Sequence, residues 1–143
     1  MRIKFDTDQI RYIAIFESIT GAAVKDCVVN KEDNRVTFVV SKGEIGKAIG
    51  RGGSKIRRLR ELIGKPVDII EYSDDPEQFI VNVFQPAKIK KVHISDRKDG
   101  RKVALVEVSE RDKGRAIGKG GKNIERAKAL VKRHHEIDDI LIL

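Results

Sequence analysis

One octapeptide occurs twice in this chain of 143 residues and limits the folds that it can adopt. Residues 49–56 read IGRGGSKI, and residues 117–124, 68 positions later, read IGKGGKNI. Across the longer windows 40–56 and 108–124, nine of seventeen positions are identical. Because the period is about half the chain, the repeat predicts two copies of one small domain and not a solenoid array. We place these domains at residues 1–73 and 74–143.

Each octapeptide holds a glycine, a cation and two further glycines in succession. Glycine permits positive φ and allows another backbone to approach closely. A turn of this kind that opens a helix presents free N–H groups and the positive end of the helix dipole, which suits a phosphate. Apolar residues recur at helical spacing after each turn, and a shorter helical segment precedes it. The pattern therefore predicts a helix, a glycine turn with a cation at its tip, and a second helix.

Two common nucleotide-binding motifs are excluded by their spacing. A P-loop would require glycine at the positions of Arg51 and Lys119. The dinucleotide-binding fingerprint would require a third glycine at the positions of Lys55 and Asn123.

The formal charge of +8 is concentrated around the glycine turns. Residues 41–60 hold seven cations and one acid, and residues 111–133 hold nine cations and two acids. Basic clusters that coincide with both turns favour a polyanionic partner. Cys27 is the single cysteine, no run of 18 apolar residues occurs, and the first residues do not form a signal peptide. We therefore expect a cytoplasmic protein with no membrane segment.

No group of residues predicts catalysis, a metal site or a cofactor. His134 and His135 are adjacent, so on a helix their side chains point about 100° apart and cannot readily share a metal ion. Glu136, Asp138 and Asp139 form no paired-carboxylate site, and no nucleophile has a base at a suitable spacing. We predict a protein that is not an enzyme.

Periodicity and turn residues predict the same order of elements, α-β-β-α-α-β, in both copies. The segment 77–84 contains several β-branched residues and would suit a strand by propensity, but it is predicted to be a helix because it occupies the place of the first helix of copy one. The predicted elements outside the glycine turns are a helix at 7–20, strands at 23–30, 35–41 and 67–72, a helix at 77–84, strands at 88–95, 102–108 and 137–142, and a last helix that ends near 134.

The octapeptides resemble the signature of the KH RNA-binding module, an Ile-Gly-x-x-Gly loop between two helices that clamps about four nucleotides. A leading helix before two strands resembles the type II arrangement. The resemblance implies an α+β fold of two tandem type II KH domains, each with a three-stranded mixed sheet covered on one face by helices. The sequences GKPVD at 64–68 and PAK at 86–88 further resemble the tandem KH region of the NusA transcription factors, in a short archaeal-type form.

That resemblance implies a single-stranded RNA-binding factor of transcription elongation, termination or antitermination. Its expected partners are RNA and RNA polymerase or another transcription component, and we expect a monomer. An RNA-binding adaptor of a ribosomal or RNA-processing assembly, with a mainly protein-protein role, remains an alternative. The expected RNA-binding residues are Lys47, Ile49, Gly50, Arg51, Gly52, Gly53 and Lys55 in the first copy, and Arg115, Ile117, Gly118, Lys119, Gly120, Gly121 and Lys122 in the second.

Overall fold

The computed structural model describes residues 3–143, which form two compact units that meet in sequence between Ser73 and Asp74. Both units have the predicted order of elements. Each is a three-stranded sheet with helices, and the α+β fold class is confirmed. No helix among these residues is long and apolar enough to cross a membrane.

The first unit begins with a long helix and ends with a short strand. Its strands lie in the order β1-β2-β3, with β1 antiparallel and β3 parallel to the central β2. Its elements are α1 (Thr7–Thr20), β1 (Val24–Asn30), β2 (Arg35–Val40), α2 (Ile45–Ile49), α3 (Ser54–Ile63) and β3 (Val67–Glu71).

Local sequence signals explain where α1 begins and ends. The Asp6 carboxylate accepts the N–H of Gln9 (2.8 Å), and the Gln9 side chain accepts the N–H of Asp6 (2.9 Å), which forms a reciprocal capping box. Gly21 ends the helix at φ 69°, a left-handed conformation that glycine adopts without strain. The buried face of α1 carries Phe16, whose ring lies 4.3 Å from the ring of Phe38 on β2. This contact joins the helical layer to the core face of the sheet.

The second unit repeats this topology, with β4 antiparallel and β6 parallel to the central β5. The mixed three-stranded sheet is thus confirmed in both copies. The elements of the second unit are α4 (Pro76–Phe84), β4 (Ile89–Asp96), β5 (Lys102–Val108), α5 (Lys113–Ile117), α6 (Lys122–His135) and β6 (Asp139–Ile142).

The helices differ in length between the units. α4 has 9 residues against 14 in α1, because Asp75 caps it late and Pro76 occupies its first turn. α6 has 14 residues against 10 in α3, because Gly64 ends α3 whereas α6 continues to Glu136 at φ 55°. Segment 77–84 is therefore helical, as its place in the repeat predicted.

The last strand starts two residues later than the pattern predicted. The N–H of Ile137 donates to Val131 O (3.3 Å) at the end of α6, so this residue still belongs to the end of the helix. β6 begins at Asp139. His134 and His135 pack beside the ring of Phe79, with ring centroids 5.6 and 5.2 Å away.

Candidate nucleic-acid interface

The two glycine turns have nearly the same backbone conformation. Gly50, Gly52 and Gly53 have φ/ψ values of 76°/167°, 62°/21° and 76°/16°. The corresponding values in the second unit are 77°/168°, 65°/19° and 75°/14°. All three positions in each turn have positive φ, which side chains of other residues rarely adopt. The repeated glycines therefore encode one specific turn twice.

The first glycine of each turn is also required by close packing. A Cβ atom on Gly50 would lie 2.7 Å from Cγ and 2.9 Å from the backbone nitrogen of Lys55. A Cβ atom on Gly118 would lie 2.7 Å from Cγ and 2.9 Å from the backbone nitrogen of Asn123. A side chain cannot be accommodated at these distances without moving the first turn of the following helix. The glycine thus holds the turn against α3 or α6.

The tip of each turn is open and carries a cation. Arg51 and Lys119 are exposed, and among residues 3–143 neither has a hydrogen-bonding or ion-pair partner. A Cβ atom on Gly52 or Gly120 would meet nothing within 4 Å. The tips are therefore accessible to a large anionic ligand.

Part of the hydrogen-bonding capacity of the turns is used internally. The N–H of Gly53 donates to Gly50 O (3.0 Å), and the N–H of Gly121 donates to Gly118 O (3.1 Å). In this structure these two amides close the turn. The N–H groups of Gly50 and Gly118 likewise donate to Gly46 O (3.0 Å) and Gly114 O (2.8 Å). The amides that remain as expected phosphate donors are those of the tip residues, Arg51 and Gly52 or Lys119 and Gly120.

An exposed isoleucine precedes each turn. Ile49 is 38% exposed and Ile117 is 39% exposed, whereas the neighbouring Ala48 and Ala116 are fully buried. The two isoleucines therefore present apolar surface beside the cationic tips. Such surface suits the face of an unstacked base better than it suits water.

The remaining expected cations occupy different positions. Lys47 lies 3.3 Å from Glu44, and Arg115 lies 3.8 Å from Asp112, which is the equivalent pair of the second unit. The side chains of Lys47 and Arg115 are 61% and 63% exposed, so each pair is open to solvent on the side of the cation and is weak. Both cations therefore stay available to a phosphate.

Lys55 and Lys122 do not occupy equivalent positions of the repeat, and their surroundings differ. Lys55 Nζ donates to Thr20 O (3.3 Å) at the end of α1, so its charge is held at that helix terminus. Lys122 is exposed at the start of α6.

Two residues that sequence reasoning did not select also shape the turns. Arg57 Nη1 donates to Gly52 O (2.5 Å), and Asn123 Nδ2 donates to Arg115 O (2.8 Å). Both residues lie in the first turn of the helix that follows the glycines. A cation or amide in a first helical turn is too common to be singled out from sequence.

Comparison with known proteins agrees with this geometry. A KH domain family model matches residues 10–83, and a model of the NusA-like second KH domain matches residues 76–141. The probable transcription termination protein NusA of Halococcus morrhuae is 40% identical over 140 residues, which are 98% of each chain. The chain belongs to the NusA family. This membership confirms the resemblance drawn from the two glycine turns.

Other NusA relatives cover the chain to different extents. The Methanocaldococcus jannaschii probable transcription termination protein NusA is 39% identical over 142 residues, which are 99% of this chain and 76% of that protein. The Mycobacterium tuberculosis transcription termination/antitermination protein NusA is 38% identical over 86 residues, 24% of its length. The crystal structure of APE1850 matches with a TM-score of 0.83 and 43% identity, over 97% of this chain and 100% of that one.

Proposed function

We propose that this chain is a single-stranded RNA-binding factor of transcription, active in elongation, termination or antitermination. Its two KH domains, at residues 1–73 and 74–143, each hold the RNA backbone at the glycine turn. The proposal is supported by the names of the full-length relatives, which are probable transcription termination proteins. It is also supported by the general use of KH loops, which clamp about four nucleotides each. These names favour transcription over an adaptor role in a ribosomal assembly.

The observation that carries the proposal is the duplicated turn with an unpaired cation at its tip. Both units have nearly the same three φ/ψ pairs in the turn. Each also has an exposed cation at the tip, Arg51 or Lys119, and an exposed isoleucine before the turn, Ile49 or Ile117. A phosphate would meet the cation and the open side of the turn, while a base would lie against the isoleucine. Packing alone requires none of these side chains to be exposed.

The role proposed here is one of binding and not of catalysis. Its partners would be RNA and a component of the transcription apparatus. Among residues 3–143 there is no group of three or more His, Cys, Asp and Glu side chains that could hold a metal ion. The proposed binding needs only charge, amide donors and apolar surface.

Fluorescence anisotropy with a labelled single-stranded RNA dodecamer tests the proposal. The variants are R51D/G52D in one turn and K119D/G120D in the other, which place negative charge where phosphate would bind. Aspartate fits the open space at Gly52 and Gly120, and its cost at positive φ is only about 1–2 kcal/mol. K98D/G100D is the matched control, since Gly100 also has positive φ and open space but lies in the β4–β5 turn.

Each turn variant should bind RNA at least tenfold more weakly than the wild type, and the control should stay within twofold. Eight nucleotides across two domains also predict a salt slope no steeper than about −6, which each variant should reduce. Circular dichroism must first show an unchanged fold. If both turn variants bind as the wild type does, the glycine turns are structural and the proposed RNA site is wrong.

A further inference from the structure

The second unit has a pocket of about 540 Å³ beside β4, the edge strand of its sheet. One wall is formed by the start of α4 and the other by β4 itself. The lining residues are Asp75, Glu77, Gln78, Val81 and the strand segment 89–93. This pocket is built entirely from residues other than the glycine turn, so the proposed RNA site does not account for it.

The corresponding strand edge of the first unit is covered by its own side chains. On β1, the carbonyl of Cys27 accepts a hydrogen bond from Gln9 Nε2 of α1 (2.5 Å). The N–H of Cys27 donates to the carboxylate of Asp26 (2.8 Å). Both backbone groups at this position are therefore satisfied within the unit, which prevents another strand from pairing there.

Val92 takes the place of Cys27 in the second unit. Cys27 pairs with Phe38, and Val92 pairs with Val106, the residue equivalent to Phe38. The carbonyl of Val106 accepts the N–H of Leu143 (2.9 Å), so the polar groups of Val106 face β6. In an antiparallel pair the two opposite residues either both bond to each other or both face outward. The N–H and C=O of Val92 therefore point to the open edge of β4.

Neither covering group of the first unit has an equivalent at Val92. Lys91 occupies the position of Asp26, and an ammonium cannot accept an N–H. Gln9 lies 11 residues before the last residue of α1, and the position 11 residues before the last residue of α4 is 73, which precedes that helix. α4 therefore has no turn equivalent to the one that carries Gln9. The pocket lies where this missing turn would cover the strand.

We propose that β4 is a docking edge for an extended, acidic segment of a partner protein, which adds a fourth strand to the second sheet at Val92. Main-chain hydrogen bonds to Val92 would provide the pairing. Lys91 and His93 alternate with Val92 and lie on the opposite face of the sheet. Acidic side chains of the added strand would meet them there, and its apolar side chains would face Val81 and the helix.

Two other occupants fit this edge less well. RNA has no peptide backbone, so it cannot form the alternating N–H and C=O pairs that a strand edge offers. A second copy of this chain, paired antiparallel about Val92, would bring Lys91 of each strand opposite His93 of the other and would supply no acid for either lysine. The chemistry therefore favours a polypeptide of different sequence, and this inference does not depend on the proposed RNA binding.

A designed peptide of alternating glutamate and valine, Thr-Glu-Val-Glu-Val-Glu-Thr with a fluorescent label, is the probe for this edge. Its valines should lie on the same face as Val92, so their N–H groups should point at β4. The first matched peptide is N-methylated at the two valines, and the second carries lysine in place of glutamate. The protein variant is K90E/K91E, and its control is R97E/K98E, which makes the same charge change in the exposed β4–β5 turn.

The wild type should bind the acidic peptide at least tenfold more tightly than either matched peptide. K90E/K91E should lose at least tenfold, and R97E/K98E should stay within twofold. Amide hydrogen exchange at Val92 should slow when the acidic peptide is bound. RNA affinity should not change in K90E/K91E.

Several results would overturn the inference. The inference fails if the acidic peptide does not bind at millimolar concentration, if the N-methylated peptide binds equally well, or if amide hydrogen exchange at Val92 is unchanged. Displacement of the peptide by the RNA dodecamer would assign the edge to RNA. A wild-type dimer in sedimentation that K90E/K91E dissociates would assign it to a second copy of the chain.

Discussion

In the first unit Arg57 donates a hydrogen bond to Gly52 O, whereas in the second unit Glu125 takes the place of Arg57 and has no proton to donate. Lys55 is held at the end of α1, whereas its counterpart Asn123 bonds to Arg115 O. The surroundings of the two turns therefore differ in charge and in hydrogen bonding. Their backbone angles differ by at most 3°.

This comparison separates what forms the turn from what adjusts its ligand. The glycines set the conformation, since it persists when the neighbouring side chains change. The charged residues can therefore vary without loss of the turn, and they set how strongly each unit attracts an anion. The first turn has an additional cation at its rim and the second has an acid there, so we expect the first turn to bind phosphate more tightly.

The largest effect is expected from a single methyl group at the first glycine. Gly50→Ala or Gly118→Ala would place Cβ 2.9 Å from the backbone nitrogen of the next helix, where no side-chain movement gives relief. Overpacking of this kind costs about 1–3 kcal/mol, in addition to the strain of positive φ. Both variants should lower the free energy of unfolding by at least the overpacking cost of about 1–3 kcal/mol, as measured by urea denaturation followed by circular dichroism. Both should also bind RNA more weakly.

Gly52→Ala and Gly120→Ala are the matched controls for this loss. They also have positive φ, but their φ/ψ values of 62°/21° and 65°/19° lie in the left-handed helical region, whereas the ψ values of 167° and 168° at Gly50 and Gly118 place those glycines in a region that is essentially restricted to glycine. A Cβ atom on Gly52 or Gly120 would also meet nothing within 4 Å. They should therefore be less destabilising than the first pair. Equal losses at all four positions would contradict this expectation, because neither the close packing at the first glycine nor its ψ would then add to the cost of positive φ.

The repeat made the fold and the location of the candidate site predictable from sequence. The helix at α4 is an instance, because its β-branched residues suited a strand and only its place in the second copy indicated a helix. The bond of Arg57 to Gly52 and that of Lys55 to Thr20 were not predictable. They depend on side-chain direction and on a helix terminus distant in sequence, and neither has a local pattern.

The shortening of α4 was visible in the sequence, but its consequence was not. Pro76 and the cap at Asp75 set the start of the helix. Whether the missing turn leaves a strand edge open depends on which backbone groups face outward, and this requires the pairing register of β4 and β5. The register is a property of the folded sheet, so the pocket could be found only in the structure.

An exchange of charge between the two turns should have an intermediate effect. Arg57→Glu should weaken RNA binding about fivefold, and Glu125→Arg should strengthen it by a similar factor, since one such interaction at a surface is worth about 1 kcal/mol. Anisotropy at fixed ionic strength measures both. The double variant, with the charges exchanged, should restore near wild-type affinity while transferring the stronger site to the second unit.

Turn-specific charge reversal identifies which unit is stronger. In the wild type, R51D/G52D should cost more affinity than K119D/G120D, and in the exchanged variant the order should reverse. If the order is the same in both backgrounds, the residues at 57 and 125 do not determine the difference between the units. Arg57 would then serve only to order the first turn.

The smallest effect is expected from the contact between Lys132 and Asp138 at the end of α6, the helix that is longer than its counterpart α3 in the first unit. A hydrogen bond from the Lys132 ammonium, followed by one from the N–H of Lys102, lowers the pKa of Asp138 from its usual value. Because the folded-state pKa is lowered, the stabilisation is present above the unfolded pKa of about 3.9 and is lost as the pH falls through the folded value.

Asp138→Asn should therefore be slightly less stable than the wild type at pH 7, by a few degrees of Tm at most, since this carboxylate is exposed. The difference in Tm between the variant and the wild type should narrow below about pH 4, as the wild-type carboxylate becomes protonated. Thermal unfolding by circular dichroism between pH 7 and pH 3 measures it. Asp99→Asn in the β4–β5 turn is the control for removing an exposed carboxylate from the same unit. If the difference in Tm between Asp138→Asn and the wild type stays constant to pH 3, Asp138 stabilises the protein through the geometry of its hydrogen bonds and not through its charge. The contrast between the ends of α3 and α6 is then not electrostatic.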